Sequence, residues 1–136
     1  MMSLIAVTRL RVRSWRFLAP FAWYSWRSFR QAQHAPGNLG VQLRKAEGLA
    51  FWTMTAWQDE AAMSAYRIAQ PHRKVMPKLL EWCDEAAVAH WSQGSAELPD
   101  WETAERLMAD SGRLSKVNHP SADHEAGRMD FTREKA

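Results

Sequence analysis

The 136-residue sequence lacks the short motifs that mark the common chemical sites. Cys83 is the only cysteine, so an internal disulfide cannot form, and no Cys/His spacing resembles a zinc ligand set. The sequence contains no G-x-S-x-G, no H-E-x-x-H and no glycine-rich phosphate loop. The three carboxylates of EWCDE, residues 81–85, disfavour a thiolate at the cysteine. Familiar nucleophilic, metal and phosphate-loop sites are therefore excluded, and a reducing, cytoplasmic location is expected.

The sequence also lacks an apolar run that is long enough to span a membrane. The longest one, residues 17–26, covers about half a span, and arginines on both of its sides are atypical of a signal peptide. The net charge is +3, from 18 basic and 15 acidic residues spread along the chain. This balance does not indicate a polyanionic partner. We therefore expect neither a membrane span nor nucleic-acid binding.

Hydrophobic patterning predicts one compact domain with a mixed fold. Alternation predicts strands at 3–12, 38–46, 49–57 and 86–91, and the Glu47-Gly48 turn joins the middle two as a hairpin, with strand 38–46 at an edge. A spacing near 3.6 predicts helices at 19–33, after Asp59, and at 101–110 after Asp100. Because proline breaks helices, two short helical pieces should meet near Pro77.

The resulting order, β-α-β-β-α-β with an added helix, is the ferredoxin-like α+β arrangement of an antiparallel sheet. We assign residues 1–110 to this domain. Residues 111–136 are polar, and we expect them to be a tail that is either disordered or wrapped over a neighbour.

Strand 49–57 is apolar on both of its faces, whereas a ferredoxin-like sheet carries helices on one face only. The second face therefore needs a cover. We expect an identical subunit to supply it, giving a homodimer with facing sheets. The alternative cover, the last helix and tail of the same chain, is less favoured because the tail is polar.

The stretches FWTMTAWQDEAAMSAY and QPHRKVM, on a βαββαβ chain, resemble the dimeric α+β barrel superfamily. This superfamily includes the antibiotic-biosynthesis-type monooxygenases, and the chain is most similar to a small uncharacterised branch that resembles spheroidene monooxygenase. The resemblance covers residues 3 to about 93. It implies a homodimer and a cavity between sheet and helices. Fold is better supported than chemistry, because members of the superfamily differ in activity.

The resemblance places the site residues on the cavity wall. It implies His72 as catalytic base or ligand, and it implies substrate contacts from Trp23, Trp26, Trp52 and Met54, to which we add His90. Haem-degrading members carry an axial histidine where this chain has Val75 and Met76, so haem is not supported and we expect no cofactor.

Three functions follow from these residues. The first is a monooxygenase-like oxidoreductase that acts on an apolar aromatic or polyene compound in a tryptophan-lined pocket. The second is a non-catalytic dimer that binds a similar hydrophobic small molecule. The third, nucleic-acid binding through the Arg- and Trp-rich residues 13–30, is least favoured because those tryptophans are spaced for burial. Core packing of the tryptophans and a capping role of His72 are the structural alternatives to a site.

Overall fold

The computed structural model has an α+β fold and describes residues 2–46, 48–69, 72–95, 97–129 and 131, with the backbone alone for 72–75. The elements are β1 (Ser3–Val12), a 3₁₀ turn (Trp15–Phe17), α1 (Leu18–His34), β2 (Asn38–Lys45), β3 (Ala50–Trp57), α2 (Glu60–Ile68), α3 (His72–Trp82), β4 (Cys83–Gln93), α4 (Trp101–Ser111), β5 (Arg113–Leu114) and α5 (Ala122–Glu125). The predicted ferredoxin-like α+β class is confirmed.

The sheet has the order β2-β3-β1-β4-β5, and all its pairs are antiparallel. The predicted edge position of β2 is confirmed. In the centre, Thr8 lies opposite Thr53 of β3 and Val88 of β4. Because strand side chains alternate, the even-numbered residues of β1 face α1, α2 and α3, and Ile5 and Val7 face the other way. We call these the helix side and the α4 side.

The segment from α2 to α3 differs from the prediction in one respect. Asp59 caps α2 as expected, since its carboxylate accepts a hydrogen bond of 2.8 Å from the Ala62 amide. Pro77, however, lies inside one continuous helix, so the predicted break near it is wrong. Pro77 is exposed, and solvent can therefore satisfy the carbonyl that loses its helical partner.

The α4 side of the sheet is covered by the chain itself. Trp52 and Met54 are fully buried there, with Ala104 and Met108 of α4 in the same core cluster. The Trp52 ring lies edge-on to Phe131, with centroids 5.8 Å apart. The expectation that an identical subunit covers this face is therefore overturned. Apolar residues of α4, including Trp101, close this face together with Leu98, Met129 and Phe131.

An ion-pair cluster joins the C-terminal segment to this face. Arg9 and Glu85 are both buried, and the guanidinium donates to the carboxylate at 2.6 Å. The hydroxyl of Ser121 donates to the second oxygen of Glu85 at 2.6 Å. The Arg9 guanidinium also stacks 4.0 Å from the centroid of Phe131. Arg11 lies 3.5 Å from Glu85 at the edge of the cluster.

Residues 113–129 and Phe131 follow the surface of their own domain. Leu114 of β5 pairs with Ala87 of β4, and Val117 is buried against the core near α1 and α3. The Ser121 amide donates to the Asp84 carbonyl at 3.0 Å. The described part of this segment is thus ordered against the same chain, in contrast to the expected disorder or wrapping over a neighbour. The boundary between domain and tail at residue 110 stays a prediction.

Candidate functional site

A cavity of about 320 Å³ lies on the helix side, between the sheet and the helices. Its floor is formed by β1, β3 and β4, its walls by α1, α2 and α3, and one end by β5 and the residues after it. Its size is at the lower end of small-molecule sites. Its lining includes Ser28, Thr53, Thr55, Trp57, Tyr66, Val88, His90, Arg113 and Lys116.

One wall of the cavity is an aromatic pair. The rings of Trp57 and Tyr66 lie 5.1 Å apart, tilted by 30°. The Trp57 indole donates a hydrogen bond of 2.9 Å to the Thr55 hydroxyl, so its polar atom is satisfied, and its ring packs against Tyr66. Trp57 is fully buried, because β3 holds it beneath α2. This wall is rigid and suits a flat apolar surface.

Hydroxyl groups lie beside the aromatic pair. Tyr66 donates a hydrogen bond of 3.3 Å to the Ser28 carbonyl on α1, and burial raises the pKa of its phenol well above the ordinary value. The phenol therefore stays protonated at every physiological pH. The Ser28 hydroxyl is buried and has no hydrogen-bond partner in the described part of the chain. A buried hydroxyl without a partner is uncommon, and a polar ligand atom in the cavity would satisfy it.

Basic side chains line the cavity on α2, where Arg67 lies, and at the β4–β5 end. Arg113 pairs with Val88 of β4, which is two residues from His90 on the same strand face. Lys116 follows on the segment after β5, and among the described residues no carboxylate side chain lines the cavity. The cavity therefore favours a ligand that carries, or develops, negative charge at this end.

Of the predicted substrate-binding residues, His90 alone lines this cavity. Its strand position puts it on the helix side, opposite Ala6 of β1, and its side chain is exposed at the opening. An imidazole in this position can reach both solvent and a bound molecule, which is what a proton acceptor in catalysis requires.

The other four predicted contacts lie elsewhere. Trp52 and Met54 are on the α4 side, because they alternate with the cavity-facing threonines of β3. Trp23 is 56% exposed on the outer side of α1. Trp26 borders a wide, open groove between α1 and α2. The sequence-based placement of these four side chains around one cavity is therefore wrong.

The predicted catalytic residue His72 begins α3, but its side chain lies outside the described residues, as do Gln70 and Pro71. Its catalytic role stays a prediction. Met76, one turn further along α3, lines the cavity, so this helix does form part of the wall.

Sequence reasoning missed the small hydroxyl residues and the basic end. Thr53 and Thr55 alternate with apolar residues, which is also the pattern of a strand face in solvent, so no signal distinguished them. The sequence did place Thr53, Thr55 and Trp57 on one face of the strand, and this face now proves to be the cavity floor.

Among the described residues, no group of histidine, cysteine and carboxylate side chains is arranged to hold a metal ion. None of the described helices combines the length and apolar character that a membrane crossing needs.

Comparison with protein-family models and with curated protein sequences finds no match. Solved structures do match. One is a putative antibiotic biosynthesis monooxygenase from Deinococcus radiodurans, with a TM-score of 0.62 and 13% identity over 71% of this chain and 98% of that chain. Another, from Nitrosomonas europaea and with the same description, has a TM-score of 0.58 and 13% identity over 68% of this chain and 89% of that one.

A protein of unknown function from Nitrosomonas europaea matches with a TM-score of 0.60 and 20% identity, over 74% of this chain and 97% of that chain. Identities this low carry information on the fold and not on the reaction. The resemblance inferred from the sequence is thus confirmed at the level of the fold, while its spheroidene monooxygenase detail stays a prediction. The chain has the α+β fold of proteins described as antibiotic biosynthesis monooxygenases.

Proposed function

We propose that the helix-side cavity binds an apolar aromatic or polyene compound and that the protein is a monooxygenase-like oxidoreductase. The observation that carries the proposal is the cavity itself, which combines the Trp57–Tyr66 wall with an exposed histidine and a basic end. The cavity has the volume of about ten water molecules at liquid density, so a molecule of two or three fused rings is near its upper limit.

The proposed reaction needs dioxygen and no bound cofactor. An activated CH₂ group between aromatic rings gives a proton to His90, and the carbanion reacts with O₂. The products are a carbonyl compound, which keeps one oxygen atom of O₂, and water, which contains the other. The CH₂ carbon loses four electrons and dioxygen gains them. Arg113 and Lys116 lie at the end of the cavity where they stabilise the anion. His72 is the second candidate for the base, from the sequence resemblance.

A non-catalytic ligand-binding protein is the second candidate function. Most of the cavity wall consists of apolar and hydroxyl side chains, which bind without reacting. Homodimer formation and a cytoplasmic location are both expected from the sequence, and they are compatible with either candidate function.

Anthrone, whose oxidation to anthraquinone is followed by absorbance, is a suitable probe. We expect turnover in air by the wild-type protein, and a loss of at least about 100-fold in rate with retained binding for the variant that lacks the base, His90→Gln or His72→Ala. His34→Gln, on the outer surface, is the matched control. Binding without turnover in every variant would favour the second candidate.

Binding itself is measured by the change in tryptophan fluorescence, with Val88→Phe as the variant that fills the cavity. If wild type binds neither anthrone nor a linear polyene, or if Val88→Phe binds them as well as wild type does, the cavity is not the site and the proposal fails.

A further inference from the structure

Three tryptophans between residues 15 and 26 are exposed, although tryptophan is among the most buried residues on average. Trp15 is 78% exposed, Trp23 56% and Trp26 53%. Trp23 and Trp26 are one turn apart on α1, and their ring centroids are 5.8 Å apart, so they form one apolar surface. The buried side chains of α1 face the opposite way, toward the sheet. Core packing therefore does not explain these rings.

Exposed arginines accompany these tryptophans. Arg16, Arg27 and Arg30 are exposed, and within the described residues none forms an ion pair, whereas arginines of β1 and β2 pair with carboxylates. The guanidinium of Arg30 lies 5.7 Å from the centroid of Trp26. Asp59 borders the groove beside Arg27 and Arg30 without forming an ion pair with either. Apolar rings and arginines that form no ion pair in the described part of the chain thus share one surface.

We propose that this surface binds the headgroup region of an anionic lipid bilayer. We call it the Trp–Arg face, and it consists of Trp23, Trp26, Arg27 and Arg30. Indole rings favour the boundary between headgroups and acyl chains, and guanidinium groups bind lipid phosphates. The proposal is independent of the ligand that the cavity takes.

The composition of the Trp–Arg face favours a bilayer over a nucleic acid. α1 has 17 residues and is about 25 Å long, and the four residues of the face recur at helical spacing on the side of α1 that faces away from its buried residues. Two arginines are few for a nucleic-acid site, which neutralises several phosphates. A helix that carries tryptophans and arginines on its outward side suits a membrane surface, with the helix axis parallel to the membrane plane. Trp26, Arg27 and Arg30 also border the open groove between α1 and α2.

The test is flotation of the full-length protein with vesicles of phosphatidylcholine alone or of equal parts phosphatidylcholine and phosphatidylglycerol. We expect binding to the anionic vesicles only, and weaker binding as salt screens the charges. Arg27→Gln with Arg30→Gln should weaken binding about 25-fold, at about fivefold for each arginine. Trp23→Ala with Trp26→Ala should weaken it at least about tenfold, because two rings no longer insert.

Matched variants on other surfaces separate this face from general charge. Arg106→Gln with Arg128→Gln removes the same charge from exposed positions of α4 and the C-terminal segment. Ile68→Ala shortens a side chain that is 69% exposed at the end of α2. Both should bind vesicles within about twofold of wild type. Circular dichroism and thermal unfolding check that every variant is folded.

Three results would overturn the proposal. The first is no binding of wild type to anionic vesicles, or an equal loss in the Arg106/Arg128 control. The second is tighter binding of a single-stranded oligonucleotide than of vesicles, lost in the tryptophan variant. The third is a shift from oligomer to monomer in the tryptophan variant by sedimentation velocity, which would make the face a contact between copies.

Discussion

Substitution of Glu85 by glutamine should destabilise the protein by about 3–5 kcal/mol, because it leaves a buried arginine without its counter-charge. Glu85 accepts hydrogen bonds of 2.6 Å from both Arg9 and Ser121, and its side chain is 7% exposed. Whole domains are stable by about 5–15 kcal/mol, so this loss is a large fraction of the total. Urea unfolding followed by tryptophan fluorescence measures it.

The pH dependence follows from the same contacts. Burial raises the pKa of Glu85, but hydrogen bonds from Ser121 and Arg9 and the charges of Arg9 and Arg11 outweigh it, so the pKa lies below its usual value. A carboxyl with a lowered folded-state pKa stabilises the protein above its unfolded-state pKa, and this contribution is lost as the pH falls through the folded-state value. Glu85→Gln should therefore reduce the loss of stability in acid.

A double substitution distinguishes pairing from packing. Arg9→Met with Glu85→Leu replaces both charges by apolar groups of similar size, and we expect it to recover most of the stability that Glu85→Gln loses. A decrease of less than about 1 kcal/mol in the free energy of unfolding for Glu85→Gln at pH 7 would refute the reasoning, since an uncompensated buried charge destabilises by more than that. Failure of the double variant to recover would show that shape, not charge, limits this site.

Three further predictions concern other parts of the chain. Met108→Ala should destabilise by about 2–5 kcal/mol in urea unfolding, and Ile68→Ala on the surface by less than about 0.5 kcal/mol. Burial raises the pKa of Cys83 to about 12, so the thiol of the folded protein should resist iodoacetamide at pH 8. Unfolding in urea should make the thiol react rapidly, and mass spectrometry measures the alkylated fraction. Gly37 has φ 84°, and an added Cβ would lie 2.5 Å from an alanine of α2, so Gly37→Ala should lower the melting temperature, whereas Gly94→Ala, with open space around it, should not.

Much of the fold could be predicted from the sequence because its strands alternate and its helices carry caps. The alternation at 3–12 predicts the first and last residues of β1 correctly. Asp59 and Asp100 are the N-caps of α2 and α4 and mark where these helices begin. The extent of β4 was underestimated, since Cys83, Asp84 and Glu85 do not look like strand residues. Their place in the strand depends on the buried ion pair and on the arginines of β1, which are distant in sequence.

The cover of the α4 side could not be predicted, because its apolar content is small. α4 contributes two buried residues, Ala104 and Met108, and the partly buried Trp101. From the segment after α4, Phe131 is buried and Met129 packs against the same cluster. Apolar residues spaced so widely form no helical or strand period in the sequence. The tryptophan content led to the prediction of a pocket lined by Trp23, Trp26 and Trp52. In the structure Trp23 and Trp26 are exposed, and Trp52 is buried on the α4 side of the sheet.

The contact of Arg9 with Phe131 has a consequence for biosynthesis. The central strand β1 precedes β3, β4 and Phe131 in the chain, so all of these emerge from the ribosome after it. Domains whose partners are far apart in sequence fold slowly and pass through states with exposed hydrophobic surface. One face of the sheet therefore stays uncovered during synthesis until α4 and Phe131 have emerged, and this interval is when chaperones would be needed.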